Sequence, residues 1–420
     1  MNSVCFLLLL LSGISTVEAA FVFEKNIATP FFAKVTQRSI ISPVYAAADK
    51  DTSEELSEER RANLFQFLLR DLQVEGVPLL GVDANQVAGF QAALWTTLAE
   101  LSEQNDAQKV CLIFEDVPVA ALRTLVDDLM AVKMDQRLMD SVPELARFSL
   151  SLVGKGVGPA ILIDAAEATD LSSPIKSTDA AGSIDDNRCT AALKMFFDRM
   201  VVGTELWPDM ERGSSASGAP LAYRVCPFSD ACHILSSFWN AVCEIMATPS
   251  DQLAASILAL PKVGVDAEKD GVGRFSAISE LVSRSLCLYQ KEEEIVLDLL
   301  HFHPSYNRDE IYPSDQPAHG HIPPLDWLKS MLKSSKEADQ STQIHLINYQ
   351  RRAPVPALCI KREPASDATN REIVDLKLDD GTVVQTTAVA TYVRNAVKLF
   401  QQGENFLRRK LDEERAILSS

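Results

Sequence analysis

Hydrophobic residues recur every three or four positions in several stretches of the chain, and short unbroken apolar runs separate these stretches. The first pattern is typical of amphipathic helices and the second of buried strands. In the first half, the pattern predicts helices that begin at the capping boxes Thr52-x-x-Glu55 and Asp83-x-x-Gln86, a helix over Val117–Val132, and strands over Lys109–Phe114, Phe148–Val153 and Pro159–Ile163. The second half repeats this alternation, with helices over Ala191–Val202, Asp230–Met246 and Phe275–Tyr289 and strands over Leu221–Val225, Ala255–Leu260 and Ile295–Phe302.

The last part of the chain has a different pattern. Residues Ile373–Thr387 predict a hairpin that turns at Asp379-Asp380-Gly381. A single long helix is expected over Val389–Leu418. Its charged tail carries a narrow apolar stripe, which we expect to pack on its own domain rather than on a partner; the stripe comprises Phe406, Leu407, Leu411 and Ile417.

Alternating helices and strands predict an α/β (or α+β layered) fold in two domains. Residues 167–186 are rich in Ser, Thr and Asp and show no apolar period, so they are interpreted as a linker. The expected domains are therefore residues 51–166 and residues 187–420, the second of which ends in the long helix.

Composition narrows the class of protein. Of the 420 residues, 47% are hydrophobic and 23% are charged, which excludes a disordered chain. The net charge of −18 disfavours nucleic-acid binding, because phosphate backbones are bound by clustered Lys and Arg. Only the extreme N-terminus carries a long apolar run, so a polytopic membrane protein is excluded and no membrane span is expected after signal removal.

The first 50 residues have the pattern of two targeting segments in series. Val4–Ile14 is too short to span a bilayer comfortably, and small residues follow it, so residues 1–20 are interpreted as a signal peptide. Residues 21–50 are basic on balance and contain spaced hydroxyl groups. This arrangement resembles the bipartite presequence of algae with complex plastids, in which the transit peptide opens with Phe, here Phe21. The resemblance implies a plastid stromal location; secretion or an endomembrane lumen is the alternative.

The cysteines are consistent with a reducing compartment. After Cys5 in the signal, seven remain, scattered singly through the chain with no CxxC pair. An odd and scattered set does not form a disulfide framework, so we expect buried free thiols.

The second half resembles the domain of unknown function 1415 family over roughly residues 187–415. Three blocks of sequence carry the likeness: Met195–Gly203 leading to Leu206–Asp209, Phe302–Tyr306 (FHPSY), and Asn348–Pro356 (NYQRRAPVP) leading to Ile360–Arg362. The family has no established reaction that could be transferred to this chain.

The chain departs from the family pattern at several reactive positions. Trp207 and Asp209 replace the family's Cys and Phe, and Ala353 and Val355 replace a Ser and a Tyr. Chemistry that depended on that thiol, hydroxyl or phenol would be lost. The resemblance therefore implies a binding or vestigial relative, and it assigns neither a catalytic residue nor a cofactor to this chain.

A candidate ligand site combines the second and third blocks. His303 and Tyr306 follow a predicted strand, and Arg351 and Arg352 lie in a loop bounded by proline. Ligand crevices form at strand ends in layered α/β folds, and guanidinium groups bind carboxylate or phosphate. The alternative is structural: Arg352 would pair with an internal Asp or Glu.

Two other motifs are interpreted as structural. His301, His303, His319 and His321 lie close in sequence, yet the second pair falls in a Pro/Gly loop, and no metal site is predicted. Gly154–Pro159 precedes an apolar run typical of a strand, so it is a turn rather than a phosphate loop. There is also no Gly-x-Ser-x-Gly elbow, and Cys226 is interpreted as a core thiol.

The sequence thus predicts a soluble, acidic, plastid-targeted protein that binds a small anionic ligand through His303, Tyr306, Arg351 and Arg352. The alternative is a non-catalytic stromal protein that is structural or that binds other proteins through its N-terminal half and its C-terminal helix.

Overall fold

The structure is a computed structural model that describes residues 62–63, 66–67, 70, 79–82, 87–114, 119–153, 160–167, 185–200, 221–263, 270–289, 297–314, 320–335, 338–362, 373–386 and 388–419. Several predicted features lie outside these residues: the signal and transit segments, both capping boxes, the Gly154–Pro159 turn, most of the linker, the Trp207 region and His319. Those features stay predictions.

The elements alternate along the chain much as the sequence pattern predicts. The first half contains β1 (Leu79–Val82), α1 (Val87–Ser102), β2 (Gln108–Phe114), α2 (Val119–Met134), α3 (Gln136–Ser141), a 3₁₀ helix (Pro143–Arg147), β3 (Phe148–Val153) and β4 (Ala160–Ala165). The second half contains α4 (Asp186–Asp198), β5 (Leu221–Val225), α5 (Ala231–Ala247), β6 (Ala255–Ala259), α6 (Asp270–Tyr289), β7 (Leu297–Phe302), α7 (Arg308–Ile311), α8 (Leu325–Ser334), a 3₁₀ segment (Ala338–Arg351), β8 (Ala357–Arg362), β9 (Val374–Lys377), β10 (Val383–Thr386), α9 (Val389–Gln402) and α10 (Glu404–Ser419).

This mixture of helices and strands confirms the predicted α/β or α+β fold class, and the chain divides into two compact units. The first takes the described residues of Met1–Leu94, Gln104–Val132 and Arg147–Ala168; the second takes the rest. The residues 95–103 and 133–146, expected in the N-terminal domain, group with the second unit.

The first unit is built on a four-stranded mixed sheet of order β1-β2-β4-β3. Strands β1 and β2 are parallel, whereas β4 runs antiparallel to both β2 and β3. Strand β4 is buried along most of its length because it lies inside the sheet. Arg147 donates from Nε to the carbonyl oxygen of Ala166 at 2.6 Å, which ties the start of β3 to the end of β4.

The second unit is built on a sheet of order β5-β6-β8-β7 with the same strand directions. On one face, Phe302 of β7 packs edge-on against Phe196 and Phe197 of α4. The rings of His301 and His303 contact Phe275 of α6. Alternate residues of a strand point to opposite faces, so the two histidines lie on the α6 side and Phe302 on the α4 side.

The prediction of one continuous helix at the C-terminus is wrong, because the structure has two helices there. Gly403 has a φ of +74° and ends α9, and α10 begins at Glu404. Glycine adopts this conformation without the steric cost that a side chain would bring, which is why it terminates helices. Leu407 and Leu411 of α10 are buried as expected, and the helix packs on α4.

Within the described residues, no helix combines the length and the apolar character that crossing a membrane requires. Six described cysteine side chains are free thiols, of which Cys243 is half-buried and the others are buried. Burial raises the pKa of Cys359 to about 12, so this thiol stays protonated and unreactive at neutral pH.

Candidate functional site

The loop that follows β7 brings together all four residues of the predicted site. The backbone N–H of His303 donates to the carbonyl oxygen of Arg351 at 3.1 Å, which joins the second sequence block to the third. Arg352 donates from Nε to the carbonyl oxygen of Tyr306 at 3.0 Å. The two blocks are therefore in direct contact, although about 45 residues separate them in the sequence.

His303 and Tyr306 form the buried floor of this loop. The backbone N–H of Ser305 donates to Nδ1 of His303 at 3.1 Å, so a neutral imidazole carries its proton on Nε2. The hydroxyl oxygen of Tyr306 accepts from the backbone N–H of Ile322 at 3.4 Å and lies 3.2 Å from Nδ1 of His321. Burial raises the pKa of Tyr306 to about 12, although the charge of Arg351 opposes the shift. The phenol therefore stays protonated.

The two predicted arginines occupy different environments. Arg351 is only 4% exposed, and its guanidinium lies over the Phe302 ring, 5.3 Å from the centroid. Arg352 is half-exposed and stacks on Tyr349 at 4.4 Å. Among the described residues, no carboxylate contacts the Arg352 guanidinium. Within this part of the chain, Arg352 therefore does not form the internal ion pair that was considered as the alternative to a ligand site.

Sequence reasoning missed a third arginine. Arg415 of α10 is half-exposed and donates from its guanidinium to the carbonyl oxygen of Pro304 at 2.8 Å. Burial lowers the pKa of Arg415; Asp412 opposes this shift, and the nearby positive charge of Arg352 adds to it. The charge-rich run FLRRKLDEER contains this residue, but helical periodicity alone does not show which of its charges faces the loop.

A buried ion pair fixes the position of Arg415. The neighbouring Glu414 is fully buried and accepts two hydrogen bonds from Arg199, at 2.6 and 3.2 Å. Arg199 lies at the C-terminal end of α4. A bidentate pair of this kind holds both partners in a defined geometry, so α10 has a fixed rotation and presents Arg415 to the loop.

The segment between β7 and β8 is held by its own polar contacts. The side chain of Arg308 is fully buried and donates to the carbonyl oxygens of Ile322, Tyr312 and Ser314. Gly320 accepts from the backbone N–H of His301 at 3.1 Å, and its φ of +84° suits only glycine. The site therefore rests on a rigid support.

Among the described residues, no three His, Cys, Asp or Glu side chains gather as a metal site requires. His301 and His321 stack with ring centroids 4.5 Å apart, and His301 Nε2 lies 3.1 Å from the Ser283 hydroxyl. These two histidines serve packing and hydrogen bonding.

In chemical terms, the site offers two half-exposed guanidinium groups that bind one loop, and this loop contains an exposed serine, Ser305. Pro304 and Tyr306, whose carbonyls hold Arg415 and Arg352, flank Ser305. Guanidinium N–H groups that remain beyond these carbonyl contacts, together with the Ser305 hydroxyl, are donors suited to an oxyanion.

A scan against protein-family models finds no match for the chain, and searches of curated proteins and of solved structures find none either. The resemblance to the domain of unknown function 1415 family accordingly stays a prediction from the three sequence blocks.

Proposed function

We propose that the second unit binds a small anion, a carboxylate or a phosphate, over the Pro304–Tyr306 loop. The observation that carries the proposal is the pair Arg352 and Arg415, whose guanidinium groups hold carbonyl oxygens on either side of Ser305. Two like charges held close together repel each other, and an anion between them would relieve that repulsion.

The buried part of the site supports the same function. Arg351 lies beneath the loop and adds a third positive charge, while His303 and Tyr306 fix the backbone that carries the two carbonyls. Arginine is well suited to this role because its planar fork matches carboxylate and phosphate oxygens in pairs. The residues supply binding, and no nucleophile or base is assigned.

Native mass spectrometry of the chain with inorganic phosphate, a dicarboxylate and a sugar phosphate tests this proposal. We expect an adduct with at least one anion, which is lost in Arg352→Gln and retained in Arg394→Gln. Arg394 is a suitable control because it is a half-exposed arginine on α9 that donates from its guanidinium to the side-chain oxygen of its neighbour Asn395. Adducts equal in all three proteins would contradict the proposal.

A second candidate function is protein binding through α9, because this helix carries a half-exposed apolar stripe. Val389, Val393 and Val397 are spaced by four residues, are half-exposed and line a groove with Val374 of β9. Ile373, which precedes Val374 in the sequence, is 65% exposed, and Val383 of the paired strand β10 is 60% exposed. Arg394 and Lys398 also line the groove, so its charge complements an amphipathic helix that carries carboxylates.

Helical peptides with leucine at every fourth position, flanked by either glutamate or lysine, distinguish this candidate by fluorescence anisotropy. We expect the acidic peptide alone to bind, and Val393→Glu to abolish binding. Equal binding of both peptides, or none, would dismiss this candidate.

The proposed location is the plastid stroma, which rests on the two-part pattern of residues 1–50. A fusion of these residues to a fluorescent protein, expressed in an alga with a complex plastid, tests the location. Fluorescence in the plastid is expected, whereas fluorescence in the medium or the endomembrane system would favour the alternative.

A further inference from the structure

We infer that residues 79–165 and 221–362 are two copies of one βαβαββ unit, and that the anion site was added to the second copy only. The part that concerns the site rests on the proposed function; the duplication does not.

The two sheets agree in order, direction and register. Each has its first two strands parallel, its fourth strand inside the sheet and its third strand at an edge. In the first sheet, one row of paired residues runs Gly81, Ile113, Ala160 and Val153. In the second sheet, the same row runs Val225, Ala259, Ala357 and Phe302. Four strands therefore align without a slip in either sheet.

The helices between the parallel strands extend this alignment to side chains. Gly81 and Val225 are 144 positions apart in the numbering, and so are the first residues of α1 and α5, Val87 and Ala231. The same offset places Trp95 on Trp239, and both indoles are buried. Over positions 88–102, the burial class matches that of the shifted position everywhere except at Ala92, Ala99 and Glu100. Two units that share only a strand order need not carry a buried tryptophan at the same position of the same helix.

The two copies differ in the length of the connection between their third and fourth strands. In the first copy, the strands β3 and β4 are joined by residues 154–159, whereas in the second copy β7 and β8 are joined by residues 303–356. The long connection contains α7, α8, the 3₁₀ segment and the four predicted site residues, His303, Tyr306, Arg351 and Arg352. Arg415 comes from α10, after β8. Nothing of comparable length separates β3 from β4, so we expect one anion site per chain.

A helix graft tests the duplication without any ligand. In the full chain, residues 231–246 are replaced by the sequence of residues 87–102, with Leu235 retained. The matched control graft uses residues 86–101, also with Leu235 retained, which places Glu100 at the position of the buried Ile245 and Trp95 at that of Asn240.

We expect the graft in register to unfold in one cooperative thermal transition by circular dichroism, and the shifted graft to lose that transition. Equal behaviour of the two grafts, folded or unfolded, would overturn the duplication.

Titration calorimetry with inorganic phosphate tests where the site lies. We expect one site per chain, which is absent in the Arg352→Gln/Arg415→Gln variant. Two sites, or a site that persists in this variant, would overturn the assignment to the second copy. Absence of phosphate binding in the unaltered chain would count against the proposed function, and the grafts would still decide the duplication.

Discussion

Arg352 and Arg415 donate to the carbonyl oxygens of Tyr306 and Pro304, so guanidinium groups from two distant parts of the sequence bind the backbone of one loop. Arg352 follows the 3₁₀ segment, and Arg415 lies near the end of α10. The two arginines therefore concentrate positive charge at one loop of a chain whose net charge is −18. Local charge, rather than net charge, decides which ligand binds at short range.

The ion pair of Glu414 with Arg199 should be essential for the stability of the second unit. Glu414→Ala leaves a guanidinium that is only 12% exposed without its counter-charge. Removing one partner of a buried pair costs about 3–5 kcal/mol, and we expect a loss of that order in urea unfolding. Glu413→Ala is the control: this residue pairs with Lys410 at the surface, where water screens the pair, so its loss should leave the stability nearly unchanged. Equal losses of stability in the two variants would show that the buried pair stabilises the fold no more than a surface pair does.

His233 should make folding stability depend on pH. Burial disfavours its charged form, but hydrogen bonds and charges from Asp230 and Glu103 outweigh burial, so its pKa is raised above the usual 6.5. A group whose pKa is higher in the folded state contributes stability that is full below the unfolded pKa. That contribution is lost as pH rises from about 6.5 through the folded pKa.

Unfolding at pH 6 and pH 9 should therefore show that His233→Gln lowers the stability more at pH 6 than at pH 9. The control is His345→Gln, an exposed histidine 3.7 Å from Glu404. A penalty for His233→Gln that is the same at both pH values would refute the assignment.

Gly320 should be intolerant of a side chain. Its φ is +84°, and an added Cβ would lie 2.2 Å from Cδ2 of His301. Gly320→Ala thus combines backbone strain with a clash, and we expect a loss of more than about 2 kcal/mol in urea unfolding. Gly381→Ala, with a φ of +87° in open space, isolates the backbone cost and should lose about 1 kcal/mol. The prediction fails if the two alanine variants are equally stable.

The sequence predicts local structure well where one periodicity dominates. Strand β5 coincides with the expected Leu221–Val225, and Asp230 caps α5 by accepting from the backbone N–H of His233. The closing helix was expected to be continuous because its apolar spacing continues past Gly403. That glycine ends α9 through its backbone conformation, which a hydrophobic pattern does not record.

The site was only partly predictable for a related reason. His303, Tyr306, Arg351 and Arg352 lie in two recognisable sequence blocks. Arg415 lies in a charged run of α10, and which face of this helix meets the loop depends on the ion pair of Glu414. The internal repeat is also hard to detect from the amino-acid sequence, because the copies share buried positions such as Trp95 and Trp239 but few surface residues. Packing retains the volume and polarity of a position more strictly than its identity.

A double-mutant cycle on phosphate affinity tests the central claim most directly. Titration calorimetry at low salt compares the unaltered chain with Arg352→Gln, Arg415→Gln and the double variant. If both arginines hold one anion, each single variant should weaken binding about tenfold, and the double variant should lose less than the sum of the two effects. Affinities unchanged by either substitution, or effects that add independently, would contradict an anion held between Arg352 and Arg415.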